Sequence, residues 1–402
     1  MEKNTIIFYT GLSLWSMKEK SGAPSFFKTV DLYIRKGWNV YMVTFNEMNK
    51  ETDIIDKDKV YCMPEKKYYK NINKRKIGKI YTWKRQKDFE RYANDITAEI
   101  LKESAGKVIL YAYEVYGVSV AKKMAEKYKL PFVTRFQGTI LFQEKDTLIN
   151  HLRFYPHYGA LKQKADLVIM TNDGTQGDST LKRLGNTSSN IKFWVNGLDL
   201  VETKDSLVLK NVKNDLDIKQ DEIMFLTVSR LVPWKRVERA IKVLAEVKKS
   251  YSKCKLVVVG DGVSRARLEQ YAKELAVEDS VVFRGAISHD EVYNYMYSCD
   301  VFLSLYDLSN VGNPLFESLY LGCCDVVLDG GDTRLFVEDG VNGIVINKEQ
   351  INKLPELVLE LLENPEKRNV LKKNAAKRAQ KELYSWNTRM EMEYDAIQEL
   401  LK

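Results

Sequence analysis

Short apolar runs alternate with amphipathic helical segments along this chain, and this alternation is typical of parallel sheets joined by crossover helices. In the first half the apolar runs lie at 5–10, 38–45, 107–113, 131–136, 166–170 and 191–195. Residues 201–221 are polar and lack sustained periodicity, which predicts a linker. The alternation then restarts, with runs at 223–229, 254–260, 280–285, 300–306, 325–330 and 343–347. The pattern predicts two consecutive α/β domains of Rossmann type with a ligand cleft between them.

Composition excludes several classes of protein. The length of 402 residues suits two domains, and 45% hydrophobic with 29% charged residues is the balance of a globular chain. No apolar run approaches the ~18 residues that span a bilayer, and residues 6–15 are predicted to be a strand, not a signal peptide. Five cysteines without CxxC spacing predict reduced thiols and a cytoplasmic location. Three histidines, and an acidic DKD at 56–58 that is best explained as solvated surface, predict no metal site.

The net charge of +8 is unevenly distributed along the chain. Residues 1–200 contain 34 Lys and Arg against 22 Asp and Glu, whereas residues 201–402 contain 29 against 33. A basic half predicts an anionic partner.

Much of the basic excess lies between Lys66 and Arg91, where eleven Lys and Arg interleave with aromatic residues. Three interpretations stay open for this stretch: nucleic-acid binding, a solvated helix face, or docking on an anionic membrane or a pyrophosphate-linked lipid acceptor. We favour docking and predict no nucleic-acid partner. On that basis Lys74, Arg75 and Lys76 are predicted to lie on the acceptor side.

The segment 228–241 places two cations where a buried strand gives way to a helix. Ser229 ends the strand, and Arg230 and Lys235 flank the loop that follows. Cations at the carboxyl end of a strand, beside a helix N-terminus, suit a diphosphate. The alternative is that Arg230 pairs with a structural carboxylate and Lys235 is solvated.

Two further loops could approach a ligand. Gly260 and Gly262 follow a strand, where they would admit a ligand or simply permit a tight turn. In 305–322 polar groups surround Gly312 before a helix that carries Glu317. The candidate groups there are the side chains of Asp307, Ser309, Asn310 and Asn313 and the amides of Gly312, Asn313 and Leu315. These groups could bind phosphate oxygens. An ordinary helix cap and a solvated glutamate would explain the same residues.

In this order and spacing, these segments resemble the donor-binding domain of the GT-B glycosyltransferases, specifically the large retaining family four. The matching letters are Ser229, Arg230 and Leu231 with Lys235, Gly260 with Gly262, FRG at 283–285, and GGDTRLFVEDGVNG at 330–343. The first half adds Gly22 after the first strand, RFQGT at 135–139 and VNGLD at 195–199, and YSW at 384–386 opens a last helix. The resemblance covers essentially the whole chain.

The resemblance implies an α/β GT-B fold, in which two Rossmann-like domains face each other across a cleft. It places an acceptor-binding domain at 1–205, completed by a helix at 384–402, and a donor-binding domain at 206–383.

Residue by residue, the resemblance implies that Arg230 and Lys235 bind the donor diphosphate and that Glu317 accepts hydrogen bonds from the ribose hydroxyls. We predict these three as catalytic. The predicted donor-binding residues are Gly22, Ser229, Gly260, Arg284, Asp307, Ser309, Gly312, Asn313 and Leu315.

Two positions depart from the family pattern. The first glutamate of the family pair falls on Ser309, so its contact with the transferred sugar is altered or passes to Asp307. Gln137, predicted on the acceptor side, stands where many members have histidine. Both departures bear on the identity of the sugar, and the first leaves an inactive subunit open.

The resemblance implies retaining transfer without a protein nucleophile, a metal or a cofactor. The donor's β-phosphate oxygen accepts the acceptor's proton, and the protein stabilises the departing diphosphate. We predict transfer of a hexose or N-acetylhexosamine from a nucleoside diphosphate sugar, UDP-sugar first and GDP-mannose second. The acceptor is a hydroxyl of a cell-envelope glycan, a glycoprotein or a lipid-linked precursor, met in the cytoplasm at the inner face of the membrane. The rivals are a catalytically silent GT-B subunit that stabilises a partner glycosyltransferase and, more weakly, an epimerase of related fold.

Overall fold

The computed structural model describes residues 2–12, 24–45, 54–73, 78–200 and 208–402. Contacts between residues divide the chain into two compact units. The first comprises Met1–Asn172, Gln176–Val195 and Asn387–Lys402, and the second comprises Asp173–Thr175 and Asn196–Trp386.

The first unit is built on a seven-stranded sheet, in which all strands run parallel in the order β3-β2-β1-β4-β5-β6-β7. The strands are β1 (Thr5–Thr10), β2 (Asn39–Thr44), β3 (Val60–Cys62), β4 (Val108–Tyr113), β5 (Phe132–Phe136), β6 (Leu167–Thr171) and β7 (Ile191–Trp194). The helices are α1 (Pro24–Arg35), α2 (Gly78–Glu103), α3 (Val115–Tyr128), α4 (Leu148–Arg153), α5 (His157–Leu161) and α6 (Gly177–Arg183). Every residue of β1 and β4 is buried, as the continuous apolar runs predict for a parallel sheet covered on both faces.

The second unit repeats this design with a six-stranded parallel sheet in the order β10-β9-β8-β11-β12-β13. The strands are β8 (Ile223–Val228), β9 (Cys254–Val259), β10 (Val281–Gly285), β11 (Val301–Ser304), β12 (Asp325–Leu328) and β13 (Ile344–Ile346). The helices are α7 (Glu238–Lys248), α8 (Arg265–Glu274), α9 (His289–Ser298), α10 (Asn313–Leu321), α11 (Thr333–Phe336), α12 (Leu354–Glu363) and α13 (Pro365–Glu382).

The strand orders fix where a ligand can bind in each unit. In both sheets the chain first adds strands in one direction and then crosses over to add them in the other. The reversal falls between β1 and β4 in the first unit and between β8 and β11 in the second. Ligands bind such sheets at the carboxyl ends of the strands beside the reversal, because the two loops there turn away from each other and leave a crevice. The predicted Rossmann-type architecture is confirmed in both units.

A last helix, α14 (Trp386–Leu400), returns to the first unit through a buried cluster of charges. Glu393 on α14 lies 2.9 Å from Arg135 of β5 and 3.2 Å from Arg389, and all three side chains are fully buried. The hydroxyl of Tyr111 donates to the same carboxylate at 2.6 Å. The arginine of the predicted RFQGT segment therefore anchors the C-terminal helix.

Among the described helices, none is both long and apolar enough to cross a bilayer.

Candidate functional site

The reversal point of the second unit gathers most of the predicted donor residues. Ser229 and Arg230 follow β8 directly, and residues 305–312 connect β11 to α10. Because β8 and β11 are adjacent parallel strands, these two loops leave the same edge of the sheet side by side.

Lys235 is the cation that the fold holds most closely in this crevice. Its Nζ donates to the carbonyl oxygen of Ser309 at 2.6 Å and lies 4.3 Å from the centre of the Tyr306 ring. Burial lowers the pKa of Lys235 to about 8, while Asp173 raises it and Arg230 lowers it. In the described residues no carboxylate lies within 4.0 Å of this ammonium. A half-buried cation held by carbonyls and a ring face, without a counter-charge in contact, is suited to bind an anion.

Arg230 and the glycine loop lie at the same edge. The Arg230 side chain is exposed and makes no hydrogen bond or ion pair with another described residue. Gly260 has φ +125°, and a Cβ there would lie 1.9 Å from the carbonyl oxygen of Ser229. Only glycine fits this crossing of two loops. The structure thus assigns Gly260 a packing role for the Ser229 loop.

The carboxylate of Asp307 is committed to ion pairs. Arg239 of α7 lies 2.7 Å from it and Arg236 lies 3.3 Å from it. The backbone amide of Asp307 also donates to the carbonyl of Trp234 at 3.0 Å. These contacts brace the loop that carries Lys235. The predicted transfer of the sugar contact from Ser309 to Asp307 would require this carboxylate to leave two arginines.

Ser309 has a left-handed backbone with φ +54°, and it lies close to a carboxylate from elsewhere in the sequence. That carboxylate is Asp173, which lies between β6 and α6. The backbone amide of Val311 donates to the carbonyl of Asp173 at 3.1 Å. The 309–311 loop is therefore built together with residue 173.

The N-terminus of α10 faces the same loop. Gly312 is the residue before the helix, and the first amides of a helix have no partner within it. Leu315 is buried and its amide donates to the carbonyl of Gly312 at 3.0 Å, so this predicted phosphate donor is already engaged. The side chain of Asn313 accepts a hydrogen bond from Asn196 at 3.4 Å.

Glu317 is buried on α10, not solvated, and it has a partner that the sequence did not reveal. Its carboxylate lies 2.8 Å from Nε2 of His289 on α9. Burial lowers the pKa of His289, but the adjacent Glu317 raises it more, to about 9. Nδ1 of His289 lies 3.1 Å from the hydroxyl of Tyr293. The histidine is therefore an imidazolium at neutral pH, and Glu317 is half of an ion pair.

The other predicted residues are dispersed. Arg284 lies on β10, the edge strand of the second sheet, and donates to the hydroxyl of Tyr295 at 2.7 Å. Two strands separate it from the crevice. Four predicted positions fall outside the described residues; these are Gly22, Lys74, Arg75 and Lys76. Within the described residues, His, Cys, Asp and Glu side chains form no group of three or more that could hold a metal.

Gln137 lies at the corresponding edge of the first unit, directly after β5. The side-chain Nε2 of Gln137 donates to the hydroxyl of Tyr113 at 2.7 Å. The backbone amide of Gln137 donates to the carboxylate of Glu114 at 2.6 Å. Glu114 follows β4 and has φ +65°, a strained conformation for a glutamate. Sequence reasoning missed Glu114, although a carboxylate directly after a buried strand was a signal that could have found it.

Asp173 and His289 were also missed, for a different reason. Asp173 lies in the loop after β6, apart from residues 196–386 that form the rest of the second unit. His289 lies between the FRG motif at 283–285 and the segment 305–322. Neither has a local pattern that indicates its partner.

Part of the chain matches a known protein family. Residues 210–378 match the family described as glycosyl transferases group 1. These residues contain β8 to β13 and both loops of the crevice.

Two relatives share the name alpha-monoglucosyldiacylglycerol synthase. The protein of Acholeplasma laidlawii is 28% identical over 164 residues, which cover 41% of this chain and 41% of that protein. The protein of Streptococcus pneumoniae is 34% identical over 114 residues, which cover 28% and 26%. This chain therefore matches less than half the length of either relative.

Over the whole chain, the structure is similar to the sucrose-phosphate synthase of Thermosynechococcus elongatus, with a TM-score of 0.75, 16% identity and 99% of each chain covered. At that identity the likeness concerns the fold alone. The chain therefore has the GT-B fold and resembles the glycosyltransferases of family four, with a glycosyl transferases group 1 segment at residues 210–378.

Proposed function

We propose that this protein transfers a hexose or N-acetylhexosamine from a nucleoside diphosphate sugar to a hydroxyl of a lipid-linked or glycan acceptor, with retention of configuration. The observation that carries the proposal is the ammonium of Lys235, which is half-buried at the reversal point of the second sheet with no carboxylate of the described residues in contact. The exposed guanidinium of Arg230 lies directly after β8, at the start of the loop that carries Lys235. The N-terminus of α10 follows the neighbouring strand, β11.

In this proposal Arg230 and Lys235 bind the two phosphates of the donor. As the bond between sugar and diphosphate breaks, negative charge grows on the leaving phosphate, and two fixed cations in a partly dry crevice stabilise that charge. The departing β-phosphate oxygen accepts the proton of the attacking hydroxyl. Since the cations already neutralise the leaving group, we propose that no metal or cofactor is required.

The proposed acceptor class is supported by the names of the two relatives, which refer to a glucosylated diacylglycerol. We therefore place lipid acceptors first in testing. The silent-subunit alternative is less favoured, because both cations of the crevice are present.

A panel of donors and acceptors tests the function. Thermal unfolding is measured with UDP, GDP, ADP and TDP sugars, followed by product analysis on vesicles that contain diacylglycerol or a glycolipid. A cognate donor at 100 times its Kd should stabilise the protein by about 2.7 kcal/mol. Unchanged unfolding with every donor would contradict the proposal, whereas a donor that binds without product on any acceptor would favour the silent subunit.

The first unit carries a surface that we propose contacts the membrane; we call it the α2/α4 surface. Its apolar residues are unusually exposed: Leu148 (77%), Ile149 (76%), Leu152 (66%), Ile80 (56%) and Trp83 (49%). Lys79 at the start of α2 donates to the carbonyl of Tyr155 at 3.3 Å, which brings the two groups of residues together. Contiguous apolar exposure of this kind marks an interaction site.

Charge on the α2/α4 surface indicates an anionic bilayer as its partner. Lys79, Lys84, Lys145 and Arg153 are exposed around the apolar residues. Within the predicted basic stretch, Lys66 and Arg91 pair with Asp88, and Lys87 pairs with Glu90. We propose that Lys79 and Lys84 of this stretch dock together with the apolar helix α4.

Substitution of Leu148, Ile149 and Leu152 by serine should abolish most binding to anionic vesicles, because it removes the inserted apolar area. Replacing Lys79 and Lys84 by serine should weaken binding roughly tenfold or more at low salt, since each charge contributes about 1 kcal/mol near such a surface. Co-sedimentation with anionic and neutral vesicles measures both effects. Val370→Ser, an exposed apolar position of the second unit, is the control. Absence of binding by the unmodified protein at low salt would contradict the membrane contact.

A further inference from the structure

Residues 173–175 are built into the candidate donor crevice although they follow β6 of the first sheet. Gly174 has φ +87°, and a Cβ there would lie 2.3 Å from the side-chain oxygen of Asn310. A Cβ on Gly331 would lie only 1.7 Å from the carbonyl oxygen of Gly174. With the bond from Val311 to Asp173, these contacts fix the segment against the loop between β11 and α10. Asp173 is therefore a constituent of the crevice.

The Asp173 carboxylate is held by neutral donors. Its Oδ1 accepts from the amide of Thr175 at 3.1 Å and from the hydroxyl of the same residue. The hydroxyl of Ser309 lies close to it, and burial raises the pKa of Asp173. A carboxylate offers about four acceptor positions, so these two donors from Thr175 leave capacity for a further donor.

Every other carboxylate named around the crevice is in contact with a cation. Asp307 pairs with Arg236 and Arg239, and Glu317 pairs with His289. Among the described residues, Asp173 makes no ion pair within 4.0 Å, although the charge of Lys235 is close enough to act on it. Asp173 is thus the acceptor that remains for a ligand hydroxyl, beside the cation proposed to hold the diphosphate.

We propose that Asp173 accepts a hydrogen bond from a hydroxyl of the transferred sugar and helps determine which sugar is used. The inference rests on the proposed function, because it requires a nucleoside diphosphate sugar at Lys235. Sugar hydroxyls are donors, and a partly buried carboxylate binds them more strongly than a neutral acceptor does.

Asp173→Asn tests the proposal, because asparagine keeps the shape and the bonds to Thr175 but loses the charge. We expect kcat/KM with the cognate donor to fall 10- to 100-fold, and discrimination between sugar epimers to weaken. Calorimetric affinity for the nucleoside diphosphate without its sugar should change less than about threefold. Asp178→Asn, an exposed position on α6, is the matched control and should leave all three quantities unchanged.

A second variant distinguishes the loss of the carboxylate from a folding defect. The double variant Asp173→Asn with Ser309→Asp moves the carboxylate from residue 173 to the nearby residue 309, where aspartate tolerates the left-handed backbone. Recovery of at least tenfold in kcat/KM over the single variant supports the proposal. A double variant no better than the single one counts against it.

Two results would overturn the inference while leaving the proposed function intact. One is an Asp173→Asn protein with unchanged kcat/KM and epimer discrimination. The other is an equal loss of affinity for the nucleoside diphosphate with and without its sugar, which would make Asp173 a structural residue of the loop. Failure of the unmodified protein to bind any nucleoside diphosphate would instead contradict the proposed function.

Discussion

Lys235→Ala is expected to lower turnover by at least ~100-fold, and Arg230→Ala should have a comparable effect. Each substitution removes a fixed cation from the leaving diphosphate, and neither can be replaced by solvent at the same position. Lys242→Ala, an exposed position on α7, is the matched control and should retain normal turnover. Steady-state kinetics with the cognate donor measures all three variants. A near-normal kcat in Lys235→Ala would contradict the diphosphate-binding role.

The pH profile provides an independent check on Lys235. Since burial lowers the pKa of Lys235 to about 8, the free enzyme loses the ammonium as pH rises through that value. Asp173 opposes the loss and Arg230 promotes it, while Tyr306 and the carbonyl of Ser309 contact the ammonium without titrating there. Wild-type kcat/KM should therefore decline above about pH 8. This limb should be absent from the residual activity of Lys235→Ala.

Glu393→Gln is expected to destabilise the first unit by about 3 to 5 kcal/mol, the usual result of breaking a buried ion pair. The substitution leaves Arg135 and Arg389 fully buried without their shared carboxylate, and it weakens the bond from Tyr111. Urea unfolding measures the change. Where urea unfolding shows two transitions, the transition of the first unit is the one to compare.

Glu391→Gln on the same helix is the control for Glu393. Its carboxylate is half exposed and pairs with Lys36 at 2.8 Å at the surface, so its loss should cost at most about 1 kcal/mol. If the two variants were equally stable, the buried cluster would not anchor α14 to the sheet.

The sequence was most informative where apolar residues run continuously. Each of the twelve predicted strand segments overlaps a strand, and β1 at Thr5–Thr10 matches its predicted bounds. The strand that was missed, β3 at Val60–Cys62, has three residues at the edge of the sheet, and so short a run has no detectable period. Helix α1 begins at Pro24 and ends at Arg35, before Gly37 with its φ of +76°.

The sequence by itself determined the architecture. A parallel strand that is buried on both faces requires a continuous apolar run, and such a run can be recognised in the sequence without knowledge of its spatial neighbours. It also located Arg230 and Lys235, since the carboxyl end of a strand is a local feature. Only the tertiary structure decided how the carboxylates are used. It paired Asp307 with two arginines, paired Glu317 with His289, and brought Asp173 to Ser309. Such pairings join residues far apart in the chain, and no period or spacing encodes a distance through space.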